Sequence, residues 1–182
     1  MYITDSVTLT AQWEGVVAWM YLDTATPPNV TAGCGMLLAT ASDACAFPFQ
    51  LASGVAATAA EITADFTRVK ALPGSKLPAF YRAASSVLLP DSFIQAHIRT
   101  IIEANDRSLA QYFTNYATMP DSAKLVLLDM TYNLGFEGLV TKFPKFCTAV
   151  KASDWATAAA NCHRGGIGAD RNTWAATQFT AL

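Results

Sequence analysis

Between Val7 and Ser42 the only acidic residues are Glu14 and Asp23, and Thr31, Gly33 and Gly35 follow them. Each carboxylate sits among apolar neighbours, Trp13 and Val16 around the first, Tyr21 and Leu22 before the second. An unpaired charge is costly in such surroundings. A glutamate taken out of water has a raised pKa and can hold a proton at neutral pH, which a general acid needs. A second carboxylate that stays ionised can activate water or stabilise a cation, the two-carboxylate arrangement of glycoside hydrolysis. The same residues also suit a surface carboxylate at a helix end and a turn-capping aspartate, and spacing alone does not choose between these readings.

The elements that must position them can be read in turn. Thr8 or Thr10 is expected to cap a first helix containing Trp13 and Glu14, with Gly15 as its stop. "VVAWMYL" has the β-branched and aromatic content of a strand. "TATPPN" is turn chemistry, and "VTAGCGMLL" resumes an extended course whose glycines allow close backbone approach. Glu14 then lies at a helix end and Asp23 at the rim of a hairpin. Thr58 or Thr63 starts a short helix through Val69, which "LPGSKLP" breaks.

Asp91 or Ser92 opens a long amphipathic helix, with Ile94, Ile98, Ile101, Ile102, Leu109 and Phe113 recurring at threes and fours. After Pro120, "SAKLVLLDMTYNL" is apolar nearly all round and reads as a helix buried on every side, ended by Gly135. Ser153 is expected to cap "DWATAAANC", and "ADRNTWAATQF" forms the last helix. The expected fold is α+β, mostly α, in one domain spanning residues 1–182. A small helix-plus-hairpin lobe (about 1–90, with an insertion) and an all-helical lobe (about 116–182) are joined by a long helix (about 91–115). Glu14 and Asp23 would face a cleft between the lobes.

At 52% hydrophobic and 14% charged, the 182-residue chain can bury a sizeable core. Its net charge is −2 and it has no run of Lys or Arg, which argues against nucleic acid as a partner. Charged residues or prolines interrupt every long apolar run, so no membrane insertion is expected. The start lacks a basic segment followed by an apolar one, and no signal peptide is read. Cys34, Cys45, Cys147 and Cys162 contain no C-x-x-C pair and there are two histidines, so neither a metal nor a cofactor is expected. Cys34–Cys45 and Cys147–Cys162 are the local disulfide pairings; the alternative is four small, buried thiols.

Asn133 ends the apolar helix, where a buried amide needs hydrogen-bond partners; it either orders the lobe or touches an N-acetyl group. Trp13, Trp19, Trp155 and Trp174 all lie at core spacing, and at most one is expected to be a sugar platform. His97 reads as a partnered, half-buried histidine. His163 adjoins Cys162 in sequence, which does not make a Cys–His nucleophile pair, since that needs spatial adjacency.

The order Glu, Gly, aromatic, Asp-Thr, turn, Thr-x-Gly-x-Gly resembles the start of the phage-type (T4-like) lysozymes. "LVLLDMTYNLG", "FPKFCTAVKASDWATAAANC" and "RGGIGADRNTW" resemble the later helices of that family, closest to the muramidase domains of antibacterial effectors, including those delivered by type VI secretion. The resemblance covers roughly the first forty and last sixty residues. It implies an N-acetylmuramidase that hydrolyses the β-1,4 bond between N-acetylmuramic acid and N-acetylglucosamine. Glu14 matches the general acid, Asp23 the carboxylate that activates water, and Thr31 the threonine that holds that water.

Arg171 matches an arginine near the acid. A cation there would favour ionised Glu14, so its use would be orientation; the other reading is a helix-surface arginine. Asn133 joins it as a substrate-binding candidate. The turn between Asp23 and Thr31 is longer than the family's and holds Pro27 and Pro28, and Met36 replaces a usual histidine. The resemblance further implies peptidoglycan strands as substrate, a cognate immunity or inhibitor protein, and action in the periplasm or cell wall of a target cell. A lytic transglycosylase and a non-catalytic wall-binding module are the alternatives on the same scaffold.

Overall fold

A computed structural model describes residues 1–182. The chain is α+β and mostly helical, with nine α-helices and one three-stranded antiparallel sheet in the order β1-β2-β3. It divides into two compact units, Glu14–His97 and a discontinuous one formed by Met1–Trp13 with Ile98–Leu182.

The sheet unit is built on β1 (Val17–Leu22), β2 (Val30–Gly33) and β3 (Met36–Leu38). Met20, Leu22, Met36 and Leu38 are buried at alternate positions of β1 and β3, whereas all four residues of the central strand β2 are buried. Helix α2 (Ala41–Cys45) is short, and α3 (Ala59–Lys70) is opened by Thr58, one of the two starts expected, in a capping box with Glu61. Asp65 on α3 is buried and takes hydrogen bonds from Arg68 Nε (2.9 Å) and from Val87 N (3.1 Å). The same arginine donates to Tyr81 O and to Ser86 Oγ. This network holds the loop that follows α3, where the backbone lacks a ladder of its own.

Helix α4 (Asp91–Tyr112) buries Ile94, Ile98, Ile102 and Leu109, the stripe expected from the sequence. The helical unit continues with α5 (Asp121–Leu134), α6 (Phe136–Lys142), α7 (Pro144–Lys151), α8 (Trp155–Asn161) and α9 (Ala169–Thr180). Helix α1 (Tyr2–Glu14), which the sequence grouped with the hairpin, belongs to this unit for all but its last residue. Tyr2 donates to Asp106 Oδ1 at 2.9 Å, and the ring of Trp13 lies 6.3 Å from that of Trp174. Tyr116 donates to the same Asp106 oxygen at 2.6 Å.

Two expected caps differ. Thr8 and Thr10 are inside α1, where Thr8 Oγ1 donates back to Thr4 O, the usual use of a mid-helix threonine. Ser153 does not cap α8; Asp154 does, accepting from Thr157 N at 3.0 Å. Ser153 instead ends α7, with φ at +55°, and a Schellman pair runs from Ser153 N to Val150 O and from Asp154 N to Ala149 O. No helix is long and apolar enough to cross a membrane. The four cysteines form no disulfide; Cys34, Cys147 and Cys162 are buried and Cys45 is half-buried.

Candidate active site

Glu14, Asp23 and Thr31 all belong to the sheet unit. Asp23 follows β1 directly, and its backbone N–H donates to Asn29 O at 3.0 Å, continuing the ladder one step beyond the Leu22–Val30 pair. Residues Thr24–Pro28 therefore loop out of the sheet, so the added length and the two prolines leave the register intact. Tyr21 pairs with Thr31 and Thr31 with Leu37. Met20 and Leu22 face the core, which puts Tyr21, Asp23 and Thr31 on the opposite face. Asp23 and Thr31 are then diagonal cross-strand neighbours, about 7–8 Å apart at Cα.

The Asp23 carboxylate is half-buried and held at both oxygens. Oδ1 accepts from Asn29 N (2.8 Å) and Ala25 N (3.1 Å), and Oδ2 accepts from Asn29 Nδ2 (3.1 Å). Burial works to raise its pKa, but the donors from Asn29 and Ala25, with Lys70 nearby, outweigh it and hold the carboxyl below its ordinary value. The group is thus ionised and fixed in orientation. Thr31 is 4% exposed.

Glu14 departs from expectation. It is exposed, as are Gly15 and Val16 after it, because the helix ends there and Gly15 at φ +74° turns the chain toward β1. The desolvation inferred from its apolar sequence neighbours is not supplied by the fold. Val17 pairs with Gly33, so Glu14 precedes the Gly33 end of the β1–β2 pair while Asp23 lies past the Val30 end. Thr31 falls between them in register.

The glycines after Thr31 have different duties. Gly33 and Gly35 both have positive φ, at +63° and +75°, in the tight β2–β3 connection. A Cβ on Gly33 would also come within 2.9 Å of the Met36 methyl, whereas one on Gly35 would meet nothing. Met36 is 5% exposed and fills the space beside Gly33, a packing role.

Arg171 and Asn133 lie in the helical unit. Arg171 is not a surface arginine: it is 5% exposed, and its Nε and Nη2 reach Asp129 Oδ1 at 2.9 and 2.8 Å. Arg164, 1% exposed, donates to the other oxygen of Asp129, and Asn172 holds the Arg164 backbone at both N and O. Asp129 and Arg164 were missed in the sequence, although a single aspartate in the apolar run "LVLLDM" carries the same scarcity signal that marked Glu14 and Asp23. Asn133 is exposed: the buried run of α5 ends at Thr131, so no buried amide needs satisfying there.

No family model matches the chain, and no curated protein does.

The remaining candidates sort by their partners. Trp155 stacks on Phe179 with ring centroids 6.0 Å apart, and Trp13 lies against Trp174. Trp19 Nε1 donates to Pro78 O at 2.8 Å, and the Arg82 guanidinium lies over its ring at 4.7 Å. His97 is half-buried beside Phe93. Burial pushes the Cys162 thiol up, with Arg164 opposing, and its Sγ donates to Ala159 O, so it is a poor thiolate despite the adjacent His163.

Proposed function

We propose that the chain is a peptidoglycan hydrolase, an N-acetylmuramidase with a lysozyme-like fold. It would cleave the β-1,4 bond between N-acetylmuramic acid and N-acetylglucosamine, with Glu14 as general acid and a water activated by Asp23 and held by Thr31. The single observation that carries the reading is the Asp23–Thr31 pair: an ionised carboxylate fixed at both oxygens, diagonal to a threonine on the same face of a small sheet. A general base for water must be ionised and aimed, and this one is both. An inverting outcome would require a gap of roughly 6.5–9.5 Å between the two carboxyl groups, with the water in it, and a retaining one a shorter gap. Because Glu14 is exposed, the bound glycan rather than the fold removes water from it. Arg171, buried against Asp129, orders the helical unit and does not face the glycan, and Asn133, which is exposed, completes the reading as a substrate-orienting group carried over from the resemblance. So do peptidoglycan strands as partner, a cognate inhibitor protein, and delivery to the wall of a target cell as an antibacterial effector.

One observation favours a second reading. All three donors to Asp23 come from its own loop, which is what a purely structural turn cap also looks like. If Asp23 only closes the turn, the scaffold is a lytic transglycosylase resting on Glu14 alone, or a wall-binding module without activity.

The decisive measurement is digestion of purified peptidoglycan by the parent, Glu14→Gln and Asp23→Asn, read as reducing ends and by mass spectrometry of the products. The proposal expects hydrolytic products from the parent and a loss of about 10²–10⁴-fold in each variant, the range of general acid–base contributions. Products ending in 1,6-anhydromuramic acid, with Asp23→Asn fully active, point to the transglycosylase. Equal lysis by Glu14→Gln and parent sinks both enzymatic readings.

A further inference from the structure

Residues 66–90 carry Arg68, Lys70, Lys76 and Arg82 and no acidic residue. Three of these cations are engaged locally: Arg68 with Asp65, Lys70 with Pro28 O at 2.8 Å, and Lys76 over the Phe80 ring at 6.0 Å. Arg82 is exposed, and its guanidinium rests on the indole of Trp19. That indole is itself fixed, because its N–H donates to Pro78 O and its backbone bridges to Leu88. The cation–π contact holds the guanidinium head against the ring and leaves its edge N–H groups able to donate.

Beside this edge opens a hollow of about 360 Å³ lined by Arg82 with Ala52, Ala83, Ala84, Ser86 and Leu88. Arg82 is the one charged group in the lining, and the small side chains leave room for a ligand beside it. The Ser86 hydroxyl oxygen accepts from Ala83 N and from Arg68, so the Arg82 guanidinium is the charged donor that a ligand in the hollow meets.

The hollow is placed with respect to the candidate site. Trp19 lies on β1 on the side opposite Met20 and Leu22, as Tyr21 and Asp23 do, and Leu88 pairs with it along the edge of β1 away from β2. Leu88 is thus two strand spacings from Thr31 and displaced by two residues along β1, about 12 Å away, with a bulge in β1 between Val17 and Tyr21.

We propose that Arg82, stacked on Trp19, forms a subsite for carboxylate groups attached to the glycan: those of the short peptides borne by muramic acid. The assignment rests on the muramidase reading, since it takes the glycan to run past Asp23 and Thr31. A carboxylate matches the planar fork of a guanidinium with two parallel hydrogen bonds, and the acid groups of this polymer are on its peptides. The subsite makes the enzyme prefer peptide-bearing glycan over bare glycan, and the preference is carried by Arg82.

The test compares three substrates: peptidoglycan strands with their peptides, the same strands after enzymatic removal of the peptides (which leaves only the short lactyl carboxylate on the sugar), and strands whose peptide carboxylates have been converted to amides. The parent and Arg82→Gln are assayed on each, and soluble fragments of the first two are titrated by NMR. The parent is expected to favour the peptide-bearing strands about tenfold in kcat/KM over both other forms, about 1.4 kcal/mol. Its fragment titration is expected to shift the Trp19 indole and the Arg82–Ser86 amides. Arg82→Gln is expected to bring the ratio between substrates to about one. Equal kcat/KM of the parent on all three substrates, or an unchanged ratio in Arg82→Gln, overturns the subsite while leaving the muramidase reading standing. Failure of the parent to cut or bind any of the three overturns both.

Discussion

Asp23 shows how a single residue can satisfy a turn and still serve chemistry. Its two oxygens accept three hydrogen bonds, two from backbone N–H groups and one from the Asn29 amide. A carboxylate offers about four lone-pair positions, so one direction remains for a water. Because the folded carboxyl is held below its unfolded pKa, its contribution to stability is full above that unfolded value and is lost as the pH falls through the folded one. The same shift sets the acid limb of any rate that needs Asp23 ionised. Replacing Asn29 with Ala removes the Nδ2 donor but keeps the backbone one. The acid limb of kcat/KM should then move to higher pH while the maximal rate changes little. An acid limb at the parent's position in Asn29→Ala would mean that Asp23 does not carry the titration.

At the scale of elements, periodicity and turn chemistry made most boundaries readable. The Thr58 capping box, the β1 run, the Ile94–Ile98–Ile102 stripe and the stop at Gly135 are written in local sequence, and the chain follows them. What local sequence does not contain is tertiary exposure. Glu14 and Asn133 both sit beside apolar residues, yet each lies at a helix end that points out of its core. Arg171 errs the other way, buried by an aspartate 42 positions earlier. The hairpin glycines allow a test of how far local conformation governs this sheet. Gly33 and Gly35 share a left-handed φ, a strain of roughly 1–2 kcal/mol for an L side chain, but only Gly33 also crowds Met36. Urea unfolding should find Gly33→Ala destabilised by about 2 kcal/mol and Gly35→Ala by about 1, from the backbone alone. Equal losses would mean that the Met36 methyl yields freely.

Across the whole molecule, the division into units does not follow chain order, since α1 is separated from β1 by two residues yet packs with helices ninety and more positions away. The buried Arg164–Asp129–Arg171 cluster gives a way to perturb one unit selectively. Asp129 is 4% exposed and serves two arginines that are nearly inaccessible, so Asp129→Asn leaves both guanidinium groups without their carboxylate. Removing one partner of a buried ion pair costs about 3–5 kcal/mol, more than the pair itself contributes, because the remaining charge has lost its compensation. Native-state hydrogen exchange of this variant should show amides of α5 and α9 opening more readily. The hydrogen-bonded amides of α1 should open with them, because Tyr2 at its start and Trp13 at its end are tied to Asp106 and Trp174. The β1–β2 amides, in the other unit, should keep their protection. If α1 instead exchanges in step with β1, the helix belongs energetically to the sheet unit, and the discontinuous packing of the termini does not describe how the molecule holds together.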